Sequence, residues 1–163
     1  MSRLGELHAK VDGFFARVAA RHGDDMQCAT GCSDCCHVRL TVTQVEAAAI
    51  RELVAGWSPV QRAALAATGP EDRCAALDTD GRCKIYEARP IVCRSHGAPI
   101  RMRRDSLPVI EACFRNFTAS EPAPDCVLDQ ETLSALTLAV DRDAGGTGDR
   151  VDLAGLVSEL ARV

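Results

Sequence analysis

The stretch CATGCSDCCH, Cys28 to His37, places four of the chain's nine cysteines within ten residues. Gly31, Ser33 and Asp34 are turn formers, so this segment reads as a loop rather than a helix or strand. Whatever fold forms must therefore be arranged around an irregular, thiol-bearing loop. A fold that gathers thiols needs either oxidation to disulfides or a metal to hold them. Nine is odd, so complete disulfide pairing would leave one thiol over. The N-terminal MSRLGELHAK carries Arg3, Glu6 and Lys10 and has no apolar core or cleavage site, so it does not read as a secretory signal. The expected location is cytoplasmic, where stable disulfides are rare. Metal binding is the favoured reading.

The cysteines follow a definite pattern. Cys28, Cys32, Cys35 and Cys36 give C-x3-C-x2-C-C, then Cys74, Cys83 and Cys93 follow at wider spacing, then Cys113 and Cys126. Thiolates are soft, strong ligands for zinc, iron and iron–sulfur clusters. Adjacent side chains such as Cys35 and Cys36 diverge, so one of them suits a bridging role, a second metal or a free thiol. A thiolate-rich site wants cationic neighbours, and Arg89 and Arg94 flank Cys93, Arg82 and Lys84 flank Cys83, and Arg39 follows the first cluster. The bland alternative is that these side chains form surface ion pairs. The C-x3-C-x2-C spacing is also that of radical S-adenosylmethionine enzymes, but Asp34 stands where those have an aromatic, and repeated strand–helix units are missing. A zinc ribbon needs two C-x2-C pairs, which the second half lacks. Burial without a metal stands as an option for Cys126.

Composition narrows the function classes. The 163 residues are 47 % hydrophobic but only 4 % aromatic, so the core is thin and leaves room for a metal to add stability. The net charge of −4 gives no general attraction to polyanions, and nucleic acid is not an expected partner. No apolar run approaches the ~20 residues of a membrane span, so no membrane association is expected either. There is no Gly-rich nucleotide loop, nucleophile elbow or hydrolytic zinc pattern. Any enzymatic activity would have to use the metal centre itself, and that question stays open.

Along the chain, Leu4, Leu7, Val11, Phe14, Phe15 and Val18 predict one helix face ended by Gly23, with His8 and His22 as solvated surface residues. Thr43 and Glu46 form a capping box for a second helix to about Val54. Ser58 and Pro59 start a third that runs to about Thr68, broken by GPEDR, with Trp57 packing at the corner. Asp80-Gly81 predicts a tight hairpin between two short strands, and EARPIVCR a short helical turn with Pro90 near its start. A second hairpin turns near Asp105. ASEPAPD is a loop, a fourth helix starts near Asp129 with Leu133, Leu136 and Val140 on one face, DAGGTGD is a flexible linker, and VDLAGLVSEL is a short terminal helix. Arg101, Arg103 and Arg104 read as a solvated strand face. His96 and His37 are lesser ligand candidates, Asp34 is a turn former, and Tyr86 is expected to pack against the cluster loops.

CATGCSDCC (28–36) followed by GRCKIYEARPIVCR (81–94), CRSHGAP (93–99) and CFRNF (113–117) resembles the bacterial YkgJ-like cysteine-cluster family, the CxxCxxCC zinc- or iron-chelating domain. The resemblance implies Cys28, Cys32, Cys35, Cys36, Cys74, Cys83, Cys93 and Cys113 as metal-site residues. Tyr86, Arg89, Pro90 and Arg94 match its non-cysteine signature, which makes Tyr86, Arg89 and Arg94 candidates for contact with the cofactor. Cys126 lies outside it. Related domains occur in flagellin lysine methylases, where an iron–sulfur cluster is implicated. The resemblance implies metal binding strongly and a reaction weakly.

The expected fold is mainly α, a small single domain of about four helices with short β-hairpins and metal-stapled irregular cysteine loops. Residues 1–141 would form the cysteine-cluster domain and 142–163 a flexible linker and terminal helix. The expected function is an iron–sulfur cluster or a polythiolate iron or zinc site, with a redox or protein-maturation role. The alternative is a structural zinc module that presents a surface to an unknown protein partner.

Overall fold

The computed structural model describes residues 2–66 and 72–162. In chain order the elements are α1 (Arg3–Arg21), β1 (Thr41–Thr43), α2 (Gln44–Ala55), α3 (Pro59–Ala63), α4 (Ile91–Ser95) and β2 (Ile100–Arg104). These are followed by β3 (Leu107–Glu111), β4 (Leu128–Asp129), α5 (Gln130–Asp143), β5 (Arg150–Asp152) and α6 (Leu153–Leu160). About half the chain is helical, with six α-helices among the described residues rather than about four. The short α4 and α6 complete the count. The predicted end of the third helix near Thr68, with the Gly69-Pro70 break, lies outside the described residues. No helix among the described residues is long and apolar enough to cross a membrane. The chain forms two compact units, Met1–Ala29 with Ile91–Ala139 and Thr30–Pro90 with Val140–Val163.

The first unit is built on α1. Ser2 Oγ accepts the Gly5 N–H at 3.1 Å and caps the helix, while Leu4, Leu7, Val11 and Val18 bury one face. His8 belongs to that face: one turn from Leu4 and from Val11, its Nε2 is cut off from solvent. His22 is not solvated either. Its side chain is 14 % exposed, Nε2 accepts the Ala123 N–H at 3.3 Å, and the ring meets Phe117 edge-on at 5.1 Å. Both histidines were expected at the surface, and tertiary packing overrides that. A 3-10 turn at Gly23–Asp25 follows the helix.

Helix α4 packs on α1, and Arg94 on α4 meets Asp12 on α1 at 2.5 Å. The hairpin forms where predicted: Asp105 and Ser106 both have positive φ (50° and 69°), and β2 and β3 pair antiparallel from Ile100↔Glu111 to Arg104↔Leu107. Strand β4 adds in parallel to the other edge of β2. Asp129 Oδ1 then accepts the Thr132 N–H at 2.8 Å and starts α5. Leu136 does not share the buried stripe of α5. It is exposed, and Thr137 and Asp141, one turn apart, take the buried positions on the adjoining line. Arg101, Arg103 and Arg104 are exposed as expected, and Arg103 pairs with Glu131 and Arg104 with Glu111.

In the second unit, β1 and β5 form a two-stranded antiparallel ladder, Thr41↔Asp152 to Thr43↔Arg150. Each strand runs straight into a capped helix. Thr43 and Glu46 make the predicted capping box on α2, with Glu46 Oε2 accepting from the Thr43 N–H and Oγ1 at 2.8 and 2.9 Å. Asp152 caps α6 through the Gly155 N–H at 2.8 Å. The core gathers Val42, Ala47, Ile50, Val54, Leu65, Leu77, Ile85, Leu153, Leu156 and Val157, with Trp57 packed against it. Ser58 and Gln61 cap α3, with Pro59 in its first turn.

Candidate metal centre

Residues from two separated stretches of the second unit meet. Asp34–Cys36 forms a 3-10 turn closed by the Cys36 N–H on Ser33 C=O at 2.8 Å. The Cys74 N–H then donates to Cys36 C=O at 2.7 Å, tying the first cysteine loop to the second stretch. Past Cys74, the chain turns at Asp78–Gly81. Asp78 Oδ1 accepts the N–H groups of Asp80 and Arg82, and Gly81 takes a positive φ of 76°. The strands expected on either side reduce to a single bridge, Leu77↔Cys83, because the Asx-type turn and the apolar side chains direct the chain into the core instead. A Cβ on Gly81 would sit 3.0 Å from the Gly31 carbonyl and 3.3 Å from Ser33 Oγ, so this turn lies directly against the first cysteine loop.

The thiols sense one another. The adjacent Cys35 and Cys36 do not diverge as expected: their hydrogen bond is the first cause that pushes the Cys36 thiol far up, followed by burial and the charges of Cys35, Cys74 and Cys83. Burial pushes Cys83 up to about 11, and the Cys74 charge adds to this, while the Ile85 N–H and the Arg89 guanidinium act the other way. Burial also raises Cys74, and the Ala76 N–H opposes it. Both Cys74 and Cys83 thus hold a sulfur facing the N–H two residues on, an arrangement that suits a thiolate. Arg89 stacks over the Tyr86 ring at 4.4 Å. Tyr86 is 59 % exposed, so instead of packing against the cluster loops it covers the guanidinium that acts on Cys83.

Cys32 and Cys35 are exposed, as are His37 and His96, and half-buried Asp34 opens the 3-10 turn. Cys28 falls in the first unit, as do Cys93 on α4, Cys113 and the buried Cys126. The Cys28 sulfur accepts from Asn116 Nδ2 at 3.3 Å, and a Cβ on Gly97 (φ 99°) would lie 2.7 Å from it. Asn116 N–H in turn donates to Cys113 C=O at 2.8 Å. Arg94, 8 % exposed in its side chain, is engaged by Asp12.

Among the described residues, no three His, Cys, Asp or Glu side chains are closed into a cage for an ion. The chemistry of the donor set nonetheless fits a soft cation. The charges of Cys35, Cys74 and Cys83 raise the proton affinity of Cys36, Cys35 does the same to Cys74 and Cys74 to Cys83, and a bound cation relieves that repulsion. The family described as "CxxCxxCC: Putative zinc- or iron-chelating domain" matches residues 27–114, more than half the chain. The protein belongs to this family. Comparisons with curated proteins and with solved structures found no match.

The CxxCxxCC match covers eight of the nine cysteines and stops short of Cys126. It also ends before Asn116, whose place beside the Cys28 sulfur nothing in the CFRNF motif announces. Gly97 was legible only as part of the CRSHGAP motif. What its missing side chain makes room for was not.

Proposed function

We propose that this CxxCxxCC protein chelates zinc or iron through Cys35, Cys36, Cys74 and Cys83, with Cys32, within the second unit, and that Cys28, Cys93 and Cys113 are metal donors within the first. The supporting observation is the meeting of two stretches nearly forty residues apart, through the Cys74 N–H on Cys36 C=O, with the four thiols acting on one another. When bound, the metal supplies either a structural cross-link or, as an iron–sulfur cluster, electron transfer. The chain's own residues do the rest. The Ala76 and Ile85 N–H groups and Arg89 favour the charged sulfurs, and Tyr86 covers Arg89. Arg94 secures the helix that carries Cys93 through Asp12. An iron–sulfur centre carries with it a redox or protein-maturation role. The metal would staple the cysteine loops, which few regular elements support.

The test is an absorption spectrum of the anaerobically purified full chain, with metal and sulfide measured on the same sample. A broad visible band with stoichiometric iron and sulfide supports a cluster. Iron without sulfide supports a thiolate iron site. A colourless sample with tightly held zinc moves the function to a structural module, whose partners then become the question. Absence of any bound metal, with none taken up on reconstitution, overturns the proposal.

A further inference from the structure

Asn116 is 4 % exposed and spends all of its amide on one corner of the first unit. Its Oδ1 accepts the Gln27 N–H at 2.8 Å, and its Nδ2 donates to Gly97 C=O at 2.8 Å and to Cys28 Sγ at 3.3 Å. These partners fix the amide's orientation. Flipping it would set its N–H2 against the Gln27 N–H and its oxygen against a carbonyl and a sulfur. The backbone closes the same corner through the Phe117 N–H on Asp25 C=O at 3.0 Å. Gly97 and the Phe15 ring edge bound the remaining space beside the sulfur, since a Cβ at 97 would lie 2.7 Å from Cys28 Sγ and 3.4 Å from Phe15.

We propose that Asn116 is a positioning residue for metal held in the first unit: its side-chain N–H fixes the Cys28 sulfur and draws charge from it. This rests on the reading of Cys28 as a metal ligand. An N–H directed at a thiolate stabilises its charge and weakens its donation to a bound metal, and such outer partners typically govern affinity as well. Loop anchoring alone would change how much metal binds. Withdrawal of charge from the sulfur changes the energy of the sulfur-to-metal charge transfer too.

The experiment loads the full chain with cobalt(II) anaerobically and compares the native protein with Asn116→Ala, Asn116→Asp and Cys28→Ser. Asn116→Asp keeps the acceptor for the Gln27 N–H and replaces the donor at the sulfur by an oxygen, so it serves if Asn116→Ala does not fold. Both Asn116 variants are expected to move the charge-transfer band to longer wavelength, and, because the sulfur is no longer held in place, to bind metal about 10- to 100-fold more weakly against a competing chelator. Cys28→Ser is expected to remove part of the band's intensity. A band that stays in place in the foldable Asn116 variant, while Cys28→Ser changes it, overturns the role of Asn116 and leaves the ligand reading standing. A spectrum unchanged by Cys28→Ser overturns both.

Discussion

A methyl group at position 97 would meet the Cys28 sulfur at 2.7 Å on a backbone with φ of 99°, so the cost of Gly97→Ala is both steric and conformational. We expect a loss of about 1–3 kcal/mol, read as a lower denaturation midpoint, together with reduced metal content. Cys126 makes the opposite contrast. It is buried and lies beyond the family match, so Cys126→Ser should cost about 1–3 kcal/mol by burying a hydroxyl while leaving metal stoichiometry unchanged. Cys36→Ser should abolish or sharply reduce metal binding. Equal metal loss in both variants would contradict this division. Asp129 supplies the pH dependence. The Thr132 N–H, with Arg101 and Arg103 nearby, holds its carboxyl below the usual range. Its contribution is therefore fully present above the unfolded value near ~4 and lost as pH falls through the lower folded value. Asn at 129 should flatten that part of the acid limb in thermal melts between neutral and strongly acidic pH.

At the scale of elements, the N-terminus of α2 is held twice over. Thr43 and Glu46 satisfy each other, and the fully buried Asp141, at the far end of α5, accepts the Val45 N–H at 2.8 Å and the Gly148 N–H at 3.2 Å. Negative charge at a helix N-terminus is favourable in itself. The loop after α5, foreseen as a linker, wraps this carboxylate. Gln44 and Thr147 exchange hydrogen bonds, and a Cβ on Gly146 would collide with the Asp141 side chain. Asp141→Ala should destabilise the protein by about 2 kcal/mol, since it leaves the part-buried Val45 and Gly148 N–H donors without an acceptor. Urea denaturation checks this, and a change below half a kcal/mol would show that the loop holds without the carboxylate. Nothing in DAGGTGD announces such a role, because the partner of Asp141 lies about a hundred residues earlier.

At the scale of the whole molecule, the core is poor in aromatics and rests on Ala, Val, Leu and Ile. Binding to the folded state alone stabilises it, by about 2.7 kcal/mol when free metal exceeds its dissociation constant a hundredfold. Removing the metal with a strong chelator should therefore lower the melting temperature of the native protein and leave that of Cys36→Ser nearly unchanged. Equal shifts in both would mean that the metal does not staple this fold.

The caps of α2 and α3, the Asp105-Ser106 turn and the thiol-rich loop were legible in the sequence because each depends on neighbours within about five residues. So was the family, since its motif is a matter of spacing. The pairing of β1 with β5 and the parallel addition of β4 to β2 were not, because strands of two or three residues carry no period. The partial burial of His8 and His22, the exposure of Tyr86 and Leu136, and the Asn116 clamp on Cys28 also needed the tertiary structure. Local hydrogen bonding chose the elements. Contacts between residues distant in sequence decided which sulfurs meet, and which amide holds one of them.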